Sequence, residues 1–215
     1  MQEAVRRLYI HGSGRQGPSA WPSQEGGEFL SFGTRTVPEQ AIVFAARPHG
    51  ELVFAHSIGA VPAVLAARGN RAKGLVLVEP ALYDIARGHP AIERHIGIVH
   101  EARSQADAGN LRGFWAILRP LMFGGPFDAS NWEAERPLAE RWATTTLPWG
   151  HGVRASAVDG IPTLVVTGGW NEEYEVIAGS LTRHGARHVV LTGARHRPQD
   201  VPEFAPLVAE FEAAL

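Results

Sequence analysis

The sequence contains no cysteine, which excludes disulfides, a thiol nucleophile and thiolate metal sites. Lysine is almost as scarce: Lys73 stands alone, and every other basic side chain is arginine. Charge of one sign is also lacking. The formal net charge is −2, so no basic face emerges for a nucleic acid. No apolar run approaches membrane-spanning length, and Met1 to Leu8 has no signal-peptide pattern. Internal repeats and low-complexity tracts are missing as well. These absences lead to the expectation of a cytoplasmic protein with neither membrane nor nucleic acid as partner.

What is present is an ordinary globular composition, 45% hydrophobic and 20% charged over 215 residues. That length buries a real core and suits one domain with an insertion. Strand-like and helix-like segments alternate, as in a mostly parallel sheet flanked by helices. Strands are expected at Arg6–Ile10, Glu28–Gly33, Glu51–Ala55, Lys73–Pro80, Pro162–Gly169 and Arg187–Gly193. Helices are expected at Pro38–Arg47, after Ser57 as far as Gly69, after Asn171, and over Phe204–Leu215. The last of these carries Asp200 and Glu203 at capping-box spacing. Between about residues 85 and 160 the alternation stops and helical patterns run together. Ile92, Ile96 and Val99 form one helix face; Leu111, Phe114, Trp115 and Leu118 form another; Ser130 with Glu133 opens a third helix. The expected organisation is therefore a core of residues 1–84 and 161–215 with a helical insertion over 85–160. Plain packing explains most of the insertion's aromatic residues. A second role, lining an apolar pocket, is compatible with it.

Chemistry concentrates at the ends of strands. Ser57 follows a buried apolar run and precedes a helix, flanked by the small residues Ala55 and Gly59. The pattern A-x-S-x-G is a variant of the turn that lifts a serine oxygen out of a sheet. The alternative is a serine in an ordinary strand–helix loop. A nucleophilic serine needs a base and donors for an oxyanion. His196, in the loop GARHRPQ after the last strand, lies where side chains converge at the carboxyl edge of an open sheet. The other histidines are weaker by position. His56 adjoins the serine but should point elsewhere, and His49, His184 and His188 read as loop or strand-edge residues. His184 and His188 have a metal-like spacing, but Gly185 interrupts the helix between them, so no metal site is expected. After the first strand comes His11-Gly12-Ser13-Gly14, whose glycines allow close backbone approach. Its N–H at Ser13, with that of Ile58, could hold an oxyanion; a tight turn or weak phosphate loop is the competing reading. A nucleotide site is disfavoured, since no G-x-x-x-x-G-K-[ST] occurs.

HGSG after an early strand, AHSIG at the turn and GARH near the end resemble, in that order, the motifs of the α/β-hydrolase superfamily. The resemblance covers nearly the whole chain, with the helical insertion where the family carries its cap. It implies Ser57 as nucleophile, His196 as general base, and Ser13 and Ile58 N–H groups as oxyanion donors. It departs from the family in two places. The usual amino-terminal pair of strands is missing from the pattern, and Ala55 replaces the first glycine of the turn.

A third departure concerns the acid. The family's usual position, after the penultimate strand, reads Gly168-Gly169-Trp170-Asn171, and asparagine carries no charge. Glu172, Glu173 and Glu175 are adjacent, but they suit the first turn of a helix capped by Asn171. Glu79 ends the apolar strand GLVLV, where a carboxylate is costly unless paired or functional. A subgroup of haloalkane dehalogenases is similar here, with its acid after this same strand. Glu79 is thus the expected acid. With serine rather than aspartate at the turn, the resemblance implies acyl transfer: hydrolysis of a small or medium hydrophobic ester, lactone or thioester, without a cofactor. His11, Phe114, Trp115, Trp132 and Trp142 would line the substrate pocket. Two other classes remain open: a non-hydrolytic enzyme on the same scaffold (a lyase or cofactor-free perhydrolase), and a ligand-binding protein that has lost turnover.

Overall fold

A computed structural model describes residues 5–47 and 50–215; His49 lies outside them. Six strands form one parallel sheet: β1 (Arg7–Ile10), β2 (Glu28–Leu30), β3 (Leu52–His56), β4 (Gly74–Val78), β5 (Thr163–Thr167) and β6 (Arg187–Val190). Their order is β2-β1-β3-β4-β5-β6. Three of the four inner strands, LVFAH, GLVLV and TLVVT, are buried at every position. Such unbroken apolar runs are what a parallel strand needs when both faces of the sheet are covered. The edge strand β6, RHVV, has no fully buried residue. Boundaries differ from the sequence expectation by one to three residues, mostly where flanking Gly and Pro leave the ladder.

The chain divides into two compact units, Met1–Arg87 with Leu147–Leu215, and Gly88–Thr146. The first holds the sheet with α1 (Val37–Ala45), α2 (Ala60–Asn70), α6 (Glu172–Thr182) and α7 (Phe204–Ala213). On one sheet face Leu52 and Phe54, Val76 and Val78, and Leu164 and Val166 alternate toward a shared core with Tyr9, Trp21, Phe204 and Phe211. Tyr9 stacks on Phe54 and Phe29 at ring separations of 4.7 and 4.8 Å. Each such side chain contributes about 1.5–3 kcal/mol by leaving water.

The second unit contains α3 (Pro90–Asp107), α4 (Leu111–Phe123) and α5 (Trp132–Thr144). Ile92, Ile96 and Val99 are buried, as are Phe114, Trp115 and Leu118. Trp115 donates its Nε1–H to Glu135, and the Arg103 guanidinium reaches the carbonyls of Ala143 and Thr145. Among the described residues no helix is long and apolar enough to cross a membrane.

Four local expectations are corrected. The insertion ends at Thr146, not near 160, because Asp84 accepts hydrogen bonds from the N–H groups of Gly150, His151 and Val153 and ties that segment to the core. Helix α2 runs through Gly69 and is closed by Arg71 in the left-handed region (φ +52°). Asp200 does not cap α7; its carboxylate is taken by Arg197 and Arg15. Ser130 does not cap α5: Asn131 stands at the cap with no side-chain cap hydrogen bond, and Asp128 accepts from the Ser130 N–H in the short turn before the helix.

Candidate active site

Strand register brings the site together. Ile10 pairs with Ala55, and His56 pairs with Val78, so the residues after β1, β3 and β4 emerge at one level of the carboxyl edge. Between β1 and β3 the strand order reverses, and ligands of open α/β sheets bind in such a crevice.

Ser57 follows β3 with φ +54°, a left-handed conformation that costs a non-glycine residue roughly 1–3 kcal/mol. Its neighbours enforce the turn. A Cβ on Gly59 would sit 2.6 Å from the His11 carbonyl oxygen, and one on Gly12 would sit 2.9 Å from the Ser57 Cβ. The segment after β1 thus crosses directly over the turn, and only glycine fits at either crossing. Ile58 lies in the first turn of the helical stretch that runs into α2, where N–H groups lack intrahelical acceptors. Ser13 is exposed beyond Gly12.

Glu79, directly after β4, is fully buried and also has a positive φ, +44°. Its Oε1 accepts from the Gly168 N–H at 2.6 Å, and its Oε2 accepts from the Trp170 indole N–H at 3.0 Å. Oε2 also lies 3.3 Å from His196 Nδ1. Two N–H donors and an imidazole are the partners a buried carboxylate requires. The His196 loop is held against β5 by close backbone contact: a Cβ on Gly168 would fall 1.9 Å from the Arg195 carbonyl oxygen. Arg195 itself adopts φ +50°, which turns the chain before His196. Asn171 accepts from the Glu173 N–H at 2.8 Å and caps α6, as its sequence context suggests.

The structure therefore places Glu79 against His196. Around them stand residues that the sequence reading passed over. Tyr174, from the first turn of α6, is buried with its ring 5.2 Å from that of His196. Burial first, then the charges of Glu79 and Glu173, push the Tyr174 phenol far up, so it stays protonated. Trp170 meets the His196 ring edge-on at 6.0 Å. His56 points away from Ser57's oxygen, as expected, toward the backbone of the His196 loop, with Nε2 2.9 Å from the His196 carbonyl. A carbonyl only accepts, so Nε2 carries the proton. Burial, reinforced by nearby His196, holds the His56 ring well below the usual histidine range and therefore neutral. The only local signal for Tyr174 and Trp170 was an aromatic residue soon after a strand end.

His11 is half-buried and turns Nδ1 to the Gly12 carbonyl at 2.7 Å, leaving Nε2 buried and unpartnered among the described residues. Phe114, Trp115, Trp132 and Trp142 belong to the helical unit. There Trp115 and Phe114 are fully buried, Trp132 and Trp142 half-buried, and Trp142 meets Phe123 edge-on at 5.9 Å. His184 bonds to Asp159 and His188 to Thr167, so the two rings engage different partners.

No family model matches the chain, and no curated protein matches it. Solved structures do. It is similar to an α/β hydrolase from Sphaerobacter thermophilus (20% identity, TM-score 0.60, covering 97% of this chain and 92% of that one). It is also similar to a hydrolase from Oleispira antarctica (15%, 0.60, 97% and 91%) and to a carboxylesterase structure from the thaumarchaeon Nitrososphaera gargenis (12%, 0.62, 98% and 90%). The parallel sheet, the helices on it and these neighbours define the chain as an α/β-hydrolase fold.

Proposed function

We propose that the protein is a serine hydrolase that cleaves carboxylic esters, or lactones or thioesters, through an acyl-enzyme on Ser57. The observation that carries this reading is Glu79, fully buried and paired with His196 at the same sheet edge as the strained Ser57 turn. Glu79 accepts from Nδ1–H, fixes the His196 tautomer and stabilises the imidazolium. Nε2 takes the Ser57 proton as Oγ attacks the acyl carbon, then delivers it to the leaving oxygen or sulfur. The N–H groups of Ser13 and Ile58 receive the oxyanion. Water repeats the sequence and releases the acid.

Hydrolases and a carboxylesterase among the structural neighbours support the reaction class. A hydrophobic acyl group suits the aromatic rings of Trp170 and Tyr174 beside His196. Nitrophenyl esters of graded acyl length, assayed with wild type and Ser57→Ala, test the reading. Turnover that depends on chain length and disappears in Ser57→Ala is expected. Equal turnover by both proteins, or none by wild type on any ester, lactone or thioester, would overturn it.

A further inference from the structure

The segment after β5 reaches the carboxylate that β4 supplies. Glu79 is fully buried, and its Oε1 takes the Gly168 N–H at 2.6 Å. Its Oε2 takes the Trp170 indole N–H at 3.0 Å and faces His196 Nδ1 at 3.3 Å. Indole and imidazole thus share one oxygen, and the indole makes the shorter contact. The Trp170 ring is 42% exposed, although the carboxylate it serves is 0% exposed. An exposed indole can give its N–H to water, so turning it inward onto a buried anion is a geometry the backbone must enforce. Gly169 does so: it has φ +66°, and a Cβ there would sit 2.9 Å from Val190 Cγ1.

A donor on a carboxylate oxygen favours the charged form and weakens that oxygen's hold on its other partner. We infer that Trp170 is a positioning residue that acts through Glu79 to set the acid limb of the site's activity. This rests on the reading of Ser57, His196 and Glu79 as one catalytic set. Without the indole N–H, the Glu79–His196 pair holds its proton more tightly, wherever in the pair that proton sits. The base that must accept the Ser57 proton then becomes free only at higher pH.

The other titratable groups around the pair are common to every variant at residue 170. His56, at the end of β3, has its ring 4.8 Å from that of His196 and stays neutral. Tyr174 of α6, at 5.2 Å, and Tyr83 after β4 stay protonated. Glu173 of α6 acts by its charge on Tyr174, and Arg197 and His11 act by theirs on His56. Arg195 adjoins His196 in its loop.

Labelling of Ser57 by a nitrophenyl phosphonate, followed by intact mass across a pH series, reads the acid limb without a known substrate. Wild type is compared with two variants. Trp170→Phe loses the N–H and keeps an aromatic ring. Trp170→Gln loses the ring and keeps a donor, its amide nitrogen as many bonds from Cα as Nε1. In Trp170→Phe the acid limb should move up by about 0.5–1 pH unit, less than a wholly lost charge-assisted hydrogen bond gives, because water enters at this half-exposed place. Trp170→Gln should bring the limb back toward wild type. Shielding by the ring gives the opposite order, with Trp170→Gln displaced and Trp170→Phe near wild type, and that order would overturn the inference. So would limbs that move together in both variants or coincide in all three proteins. If Trp170→Phe fails to fold, Trp170→Gln decides: a limb at the wild-type pH supports the inference, and one moved upward overturns it. A wild type that takes no adduct would overturn the nucleophile reading too, whereas a labelled wild type with an unmoved Trp170→Phe limb overturns this inference alone.

Discussion

At the scale of single residues, the site combines strained backbone with fixed protons. Ser57, Glu79 and Arg195 all adopt positive φ without being glycine, and each lies at or beside a group of the proposed triad. Strain of this kind persists only where the surroundings over-determine it, and it gathers at functional sites. His56 shows how the surroundings do so. Its Nε2–H donates to the His196 carbonyl, which joins the turn at Ser57 to the loop carrying the base. The ring is neutral in the fold and titrates at ordinary histidine pH once unfolded. Below about pH 6.5 the unfolded state therefore binds more protons, and stability falls as pH falls toward the depressed folded value. In urea melts, wild type should lose more stability than His56→Gln between pH 7 and pH 5. Parallel losses in the two proteins would remove His56 from the account.

At the scale of elements, two strand ends compete to supply the acid. The end of β5 offers Asn171 and the α6 glutamates, and the end of β4 offers Glu79. The structure engages Asn171 as the cap of α6 and pairs Glu79 with His196. Glu79→Gln should therefore lower turnover by several orders of magnitude, on the order of 10⁴ as when a triad acid is neutralised. KM should change little, since the lost interaction belongs to the transition state. Glu172→Gln should alter stability by a few tenths of a kcal/mol and leave kcat near wild type. Kinetics with a single ester separate the two, and the reverse ranking would return the acid to the end of β5. Glu79 was legible because a charge at the end of GLVLV has no bland place to go. Its partner His196 was legible with it; the residues around the pair were not. Trp170 and Tyr174 reach the site from the segment after β5 and the first turn of α6, and no periodicity records which side chains turn inward there. Capping was legible at Asn171, where the cap sits beside its helix. It was misread at Asp200, because Arg15, far away in sequence, takes that carboxylate.

At the scale of the whole molecule, the sheet was readable because each inner strand is a short unbroken apolar run between Gly, Pro or polar punctuation. The insertion was readable from two helix faces and the start signal of a third helix, but not its end. Asp84, at one margin of the core, gathers the N–H groups of residues 150–153 through contacts that sequence spacing cannot show. The fold then does one thing for the chemistry: parallel strands with shared register deliver the residues after β1, β3 and β4 to a single edge, and the loop after β6 brings His196 to Glu79. The central claim is that this edge forms an acyl-enzyme on Ser57. Rapid acid quench during turnover of a short-chain nitrophenyl ester, followed by mass spectrometry of the peptide containing Ser57, tests it most directly. The account predicts a peptide heavier by one acyl group, more abundant for slowly deacylating esters and missing in Ser57→Ala. Steady turnover with an acyl group on another residue would contradict it.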